Sequence, residues 1–251
     1  MHRVRIAPGA QTGALIILPE SEAHYVARVL RLRVGDTIVA FDGAGQEWRL
    51  QLTCVSPAAV QGRVITTRET TTSPQALVLG QALPKSGKMD LIVEKCSELG
   101  LTTVVPLYTA CTVVRDVPGR LGTKLARWRR VAEAAARQCG RQTLLEVQSP
   151  RSLEEFCAYY STAAAKIVCW EGEQKHGARQ VLEALTEHGP VVVVVGPEAG
   201  LTEQEVALAR TYGFVTMSLG PRRLRTETAA VVVTSLVRYR LGELDPQGGR
   251  G

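Results

Sequence analysis

Histidine is scarce: His2, His24, His176 and His188 are the only four in 251 residues, and none falls in an H-E-x-x-H spacing. Metal-dependent hydrolysis and Ser-His triads therefore have little support. The six cysteines (Cys54, Cys96, Cys111, Cys139, Cys157, Cys169) include no C-x-x-C pair and sit mostly in apolar patterns. Neither a zinc cluster nor a disulfide framework is indicated, and reduced core residues are expected. No stretch approaches the roughly 20 apolar residues of a membrane span, and the opening Met1-His2-Arg3-Val4-Arg5-Ile6 lacks the apolar run of a signal peptide. The expectation is a cytoplasmic protein with no membrane partner and no metal.

What is present is a globular composition, 45% apolar and 22% charged, long enough for one large domain or two modest ones. The net charge is +6. From Arg115 to Arg141 there are eight basic residues (Arg115, Arg120, Lys124, Arg127, Arg129, Arg130, Arg137, Arg141) against Asp116 and Glu133, a local excess equal to that of the whole chain. Clustered guanidinium groups suit phosphate, which they bind in a fork. A solvated helix face in an arginine-preferring sequence reads equally well from composition alone.

Up to about Arg68 the chain reads as short strands, Val4–Ile6, Leu15–Leu18, Thr37–Phe41, Trp48–Val55 and Val60–Thr67, with one helix from Glu22 to Leu30. Short strands at that spacing imply a small barrel or sandwich. The polar run from Glu69 to Pro74 reads as a linker, so the expected first domain is residues 1–70. Beyond it β and α patterns alternate: strands at Leu77–Gln81, Thr103–Leu107, Leu144–Val147, Lys166–Trp170, Val191–Val195 and Val215–Leu219, with helices between them. That alternation predicts an α/β domain over residues 73–244, a parallel sheet with helices on both faces. Five consecutive valines, Val191 to Val195, suit a central strand. Residues 245–251 read as a flexible tail.

Two loops after strands hold residues that packing does not require. Gly196-Pro197-Glu198-Ala199-Gly200-Leu201 follows the valines and precedes a helix with a Thr202/Glu205 capping box. Ligands of open α/β sheets bind at the carboxyl ends of strands, where glycine permits close approach. On the glycines alone an ordinary turn is the simpler reading. The second loop, Leu219 to Thr228, sets Arg222, Arg223 and Arg225 on one turn, where they repel one another, and so points to an anionic partner or a developing negative charge. Two look-alikes fail. In Gly80-Gln81-Ala82-Leu83-Pro84-Lys85-Ser86-Gly87-Lys88-Met89 six residues separate the glycines, where a P-loop has four, and Asp42-Gly43-Ala44-Gly45 lies among short strands as a hairpin turn would.

These motifs, in order, resemble the RsmE family of small-subunit rRNA uridine N3-methyltransferases, within the SPOUT superfamily. The resemblance is carried by His24 to Arg31, by Leu79-Gly80-Gln81-Ala82 with Lys88-Met89, and by Lys95 to Gly100. It continues through Gln138-Cys139-Gly140-Arg141, Gly196-Pro197-Glu198, Leu219-Gly220-Pro221 and Leu224 to Ala229, so it spans nearly the whole chain. Two positions depart: the family commonly has glycine where Ala199 stands and arginine where Cys111 stands.

The resemblance implies a PUA-like β-barrel that helps hold RNA, then a SPOUT-type knotted parallel sheet closed by a C-terminal trefoil knot. It implies S-adenosyl-L-methionine as cofactor, with Trp170, Val195, Gly196, Pro197, Glu198, Gly200, Ser218, Leu219, Gly220, Leu224, Arg225 and Thr226 around it. The implied substrate is 16S rRNA of the small ribosomal subunit, at uridine 1498 in the usual bacterial numbering. Arg28, Arg31, Arg127, Arg130, Arg137 and Arg141 are the expected RNA contacts. Methyl transfer from a sulfonium needs no metal, but uridine N3 must lose a proton, which calls for a base or for cationic stabilisation of the uridinate oxygens. Arg225 and Glu227 are the candidates, with Thr226 and Thr228 read as helix caps. For Glu227, a carboxylate that merely favours a helix N-terminus is nearly as good a reading. Two other functions stay open on the residues: a non-catalytic RNA-binding protein, and a transferase for a small acidic substrate or another RNA base. A homodimer is expected, because Val231, Val232, Val233, Leu236 and Val237 cover more of the last helix than one buried face needs.

Overall fold

The computed structural model describes residues 1–7, 9–69, 75–85, 87–112, 120–185 and 188–245. Most of the expected linker, the tail beyond Asp245, Arg115 and the Arg120 side chain lie outside the described residues. The chain divides into two compact units: Met1–Ser73 with Ala136–Leu144, and Pro74–Ala135 with Leu145–Gly251.

The first unit holds β1 (Arg3–Arg5), β2 (Gln11–Thr12), β3 (Leu15–Ile17), α1 (Glu20–His24), a π-helical turn (Tyr25–Val29), β4 (Thr37–Phe41), β5 (Gln46–Val55) and β6 (Val60–Glu69). The strands form one sheet in the order β1-β4-β5-β6-β3-β2, antiparallel except for β1 beside β4. Alternation sends Ile38 and Ala40, and Trp48, Leu50 and Leu52, to one buried face, where Val4, Ile16, Val26 and Val60 meet them. Between β4 and β5, Asp42 Oδ1 accepts the amides of Ala44, Gly45 and Gln46, so Asp42-Gly43-Ala44-Gly45 is the hairpin turn expected of it. The segment Ala136–Leu144 belongs to this unit through side chain and backbone: Arg137 forks onto Glu22, and the Leu144 amide donates to the Gly43 carbonyl.

The second unit contains β7 (Leu77–Ala82), α2 (Lys88–Glu98), β8 (Thr103–Tyr108), α3 (Arg120–Cys139, shared with the first unit), β9 (Glu146–Val147), β10 (Arg151–Ser152), α4 (Leu153–Tyr159) and β11 (Ala165–Cys169). There follow α5 (Ala178–Glu183), β12 (Val191–Val195), α6 (Glu203–Thr211), β13 (Val215–Met217) and α7 (Thr226–Arg240). Every pairing is parallel, in the order β10-β8-β7-β12-β11-β13, with β9 also on β8. The valine strand β12 lies between β7 and β11 and is buried throughout. Its alternation divides the core. Val191, Val193 and Val195 join Ile92 of α2, Trp128 of α3, Leu182 of α5 and Val233 of α7, whereas Val192 and Val194 join Phe156 of α4 and Val206 of α6. Helices therefore cover both faces, as a continuous apolar strand requires.

Candidate active site at the carboxyl ends of three strands

The loops leaving β11, β12 and β13 enclose a cleft of about 340 Å³. Its wall includes Trp170, Val195, Gly196, Pro197, Glu198, Gly200, Ser218, Leu219, Gly220, Leu224 and Thr226. Arg225 is absent from that wall: it is the N-cap of α7, exposed, and has no ion pair or side-chain hydrogen bond among the described residues. Its neighbours Leu224 and Thr226 both line the cleft.

Thr226 is a stitch, where the sequence suggested a cap. No side-chain cap bond forms at α7. Instead the Thr226 hydroxyl donates to the Gly196 carbonyl at 2.6 Å and accepts from Gln81 Nε2 at 2.9 Å, tying β7, the exit of β12 and the start of α7 together. The Gly196–Leu201 turn is tight. A Cβ on Gly196 would stand 3.1 Å from both the Leu201 side chain and its amide nitrogen. Gly200 has φ +79°, and a Cβ there would meet Glu171 Oε1 at 2.9 Å. Ala199 is exposed and has no positive φ, so its methyl is accommodated without strain. The capping box forms as expected: Thr202 accepts the Glu205 amide, and Glu205 accepts the Thr202 amide. Glu205 also accepts the Ala110 amide, beside Cys111.

Several charges around the cleft are paired. Lys88, on the first turn of α2, lies 2.9 Å from Glu198 and 3.3 Å from Glu227, a bridge between the loop after β12 and the first turn of α7. Burial pushes the Glu198 carboxyl up, but the Lys88 ammonium and the Lys85 amide together hold it below the usual carboxylate range. The hydrogen bond to Glu198 in turn holds Lys88 above the ordinary lysine value. Across the mouth, Arg223 Nε pairs with Glu171 at 2.8 Å. The residue types alone offered no pointer to Glu171 or to the Lys88 bridge, because their partners stand far off in sequence.

The six expected RNA contacts divide by their partners. Arg28, Arg31 and Arg130 are exposed; Arg31 has φ +54°, directly after the π-helical turn and Leu30. Arg127 is exposed but paired with Asp90, Arg137 is bound to Glu22, and the Arg141 carbonyl accepts from Arg3. The Glu22 pair gives Arg137 a structural task.

The class follows from two family models: the RNA methyltransferase domain matches residues 71–238, and the RNA methyltransferase PUA domain matches residues 18–65. The chain is 34% identical to ribosomal RNA small subunit methyltransferase E of Synechocystis sp., over 96% of this chain and 78% of that one. It is 32% identical to the protein of that name from Bacillus subtilis, over 87% and 88%. The crystal structure of ribosomal RNA small subunit methyltransferase E from Neisseria gonorrhoeae bound to S-adenosyl methionine superposes with a TM-score of 0.84 at 28% identity, over 95% of this chain and 97% of that one. This chain belongs to the ribosomal RNA small subunit methyltransferase E family.

Proposed function

We propose that this protein methylates N3 of a uridine in 16S rRNA of the small ribosomal subunit, uridine 1498 in the usual bacterial numbering, using S-adenosyl-L-methionine, as a cytoplasmic homodimer. The observation that carries the reading is the convergence of the β11, β12 and β13 loops on one cleft in a chain of this family. The cleft suits the cofactor in size and chemistry. Its volume is that of a small-molecule site, the Trp170 indole suits a cation, and Gly196 and Gly200 leave no room for side chains. The strand order, with β11 between β12 and β13, supports the trefoil threading that the resemblance implies.

S-adenosyl-L-methionine supplies a methyl group already activated on a sulfonium. The protein has to orient the acceptor and manage its proton. Holding reactants in near-attack geometry is worth up to about 7–11 kcal/mol. Arg225, exposed between two cleft residues, can reach an anionic base and stabilise charge developing on the uracil oxygens. Glu227, ion-paired with Lys88, is the candidate to take the N3 proton.

The test is incubation with methyl-labelled cofactor and small subunits, then mapping of the modified base. N3-methyluridine at a single site is expected. Absence of transfer, or methylation elsewhere on the base, overturns the assignment. Sedimentation at micromolar concentration should give twice the chain mass, and a monomer removes the dimer from the proposal.

A further inference from the structure

Behind the cleft lies a buried carboxylate that the reaction does not use. Glu173, on the loop that leaves β11, is only 7% exposed and accepts three hydrogen bonds, with two basic side chains also within ion-pair distance of the same carboxyl group. The Thr216 hydroxyl of β13 donates to Oε2, and the amides of Lys175 and His176 donate to Oε1 at 2.6 and 3.0 Å. His176 Nδ1 stands 3.3 Å from Oε2. Arg210 of α6 closes the set: its Nη2 donates to Thr216 Oγ1 at 2.9 Å and lies 3.6 Å from Glu173, while its guanidinium sits 5.9 Å from the centre of the Trp170 ring. These donors, the Thr216 hydroxyl first, hold the carboxyl well below the usual range.

The loop so tied is a wall of the cleft. It begins at Trp170, whose indole lies where a Cβ on Gly172 would be, within 2.5 Å. It ends at Gly177, which bridges to Ser218, and the Ser218 amide donates to the His176 carbonyl at 2.9 Å. One buried group therefore fixes two cleft loops at once, Trp170–Glu171 directly and Ser218–Gly220 through His176. Burying an ion is costly unless it is fully partnered, so a carboxylate with this many donors is kept for the shape it imposes.

We propose that Glu173 is the positioning residue of the cofactor cleft, holding Trp170 and Ser218 in place by clamping the 170–177 loop onto Thr216 and Arg210. The inference rests on the cofactor reading of the cleft.

Calorimetry with S-adenosylhomocysteine on the full chain tests it, through Glu173→Gln, Trp170→Ala and the double variant, with melting temperature and RNA affinity measured alongside. A misplaced wall should cost roughly tenfold or more in cofactor affinity with RNA affinity unchanged. Because Glu173 acts in part through the loop that carries Trp170, the combined loss in the double variant should be smaller than the product of the two single losses. A stability role alone would lower the melting temperature and leave the coupling at zero. Wild-type affinity in Glu173→Gln, or losses that simply multiply in the double variant, overturns the inference. If the wild-type chain itself fails to bind, it is the cofactor reading that has failed. Should Glu173→Gln not fold, Thr216→Val removes one donor to the same carboxylate with little change of shape and is held to the same outcomes.

Discussion

Arg225 and Glu227 are two residues apart, yet their surroundings differ sharply. Arg225 is exposed and free of ion pairs among the described residues, whereas Glu227 is half-buried and paired with Lys88. Arginine cannot act as a base near neutral pH, since its pKa exceeds about 12. It can stabilise the uridinate or bind a phosphate, and kinetics separates the two. For Arg225→Ala, single-turnover methylation at saturating RNA and cofactor should fall by roughly 10²–10³, with both dissociation constants little changed. Recovery of the full rate at saturating RNA would make Arg225 a phosphate contact. In the sequence it stands out as a candidate, because three arginines on one turn are costly. The Lys88 bridge does not, since 110 residues separate Lys88 from Glu198 and no short pattern encodes such a pair.

Among the elements, β7 shows how tightly the catalytic unit is built. Gly80 is buried on this strand, and a Cβ there would stand 2.7 Å from the Phe156 ring and 2.9 Å from Leu107. Gly80→Ala should therefore destabilise by about 1–3 kcal/mol through overpacking, read as a lower urea midpoint at an unchanged slope. An unaffected midpoint would mean that α4 yields freely. The π-helical turn Tyr25–Val29 is a second telling element. It is followed by Leu30 and then Arg31 at φ +54°, and it leaves Arg28 and Arg31 exposed. Replacing both by alanine should weaken rRNA binding and flatten its salt dependence by up to about two phosphate contacts, with cofactor affinity preserved. Equal losses for RNA and cofactor would contradict this division of labour. Deleting residues 1–70 is a poor test of it, because Glu22 and Gly43 are partners of Arg137 and Leu144 in the same unit.

For the whole molecule, pH dependence follows from where its charges are held. Glu155, Glu173 and Glu198 all lie below the ordinary value of 4.5 in the folded chain. Their stabilisation is complete above that value and is lost as pH falls through the folded values. Burial pushes the thiols of Cys96, Cys157 and Cys169 up to about 12, from 9.0, so their contribution is complete below pH 9 and is lost as pH rises beyond it. Lys88 and Lys95, held above 10.5, lose theirs higher still. Urea midpoints should thus form a plateau between about pH 5 and 9 and fall on either side. A midpoint that climbs on acidification from pH 5 to 3.5 would show that other groups dominate. No helix among the described residues is long and apolar enough to cross a membrane.

The sequence by itself determined the elements and their faces: the valine strand, the alternation into a parallel sheet, the Thr202/Glu205 box, and the two loops that line the cleft. Each is written in residues within a few positions of one another, where period, capping and turn chemistry act. Only the tertiary structure decided which distant groups meet. It joined Ala136–Leu144 to the first unit through Arg137 and Glu22, 115 residues apart. It made Thr226 a tie to Gln81, 145 residues away, and set Glu173 behind the cleft against Thr216 and Arg210. Such pairs depend on how layers stack, and a polar side chain carries no mark in the sequence of the partner that packing will bring to it.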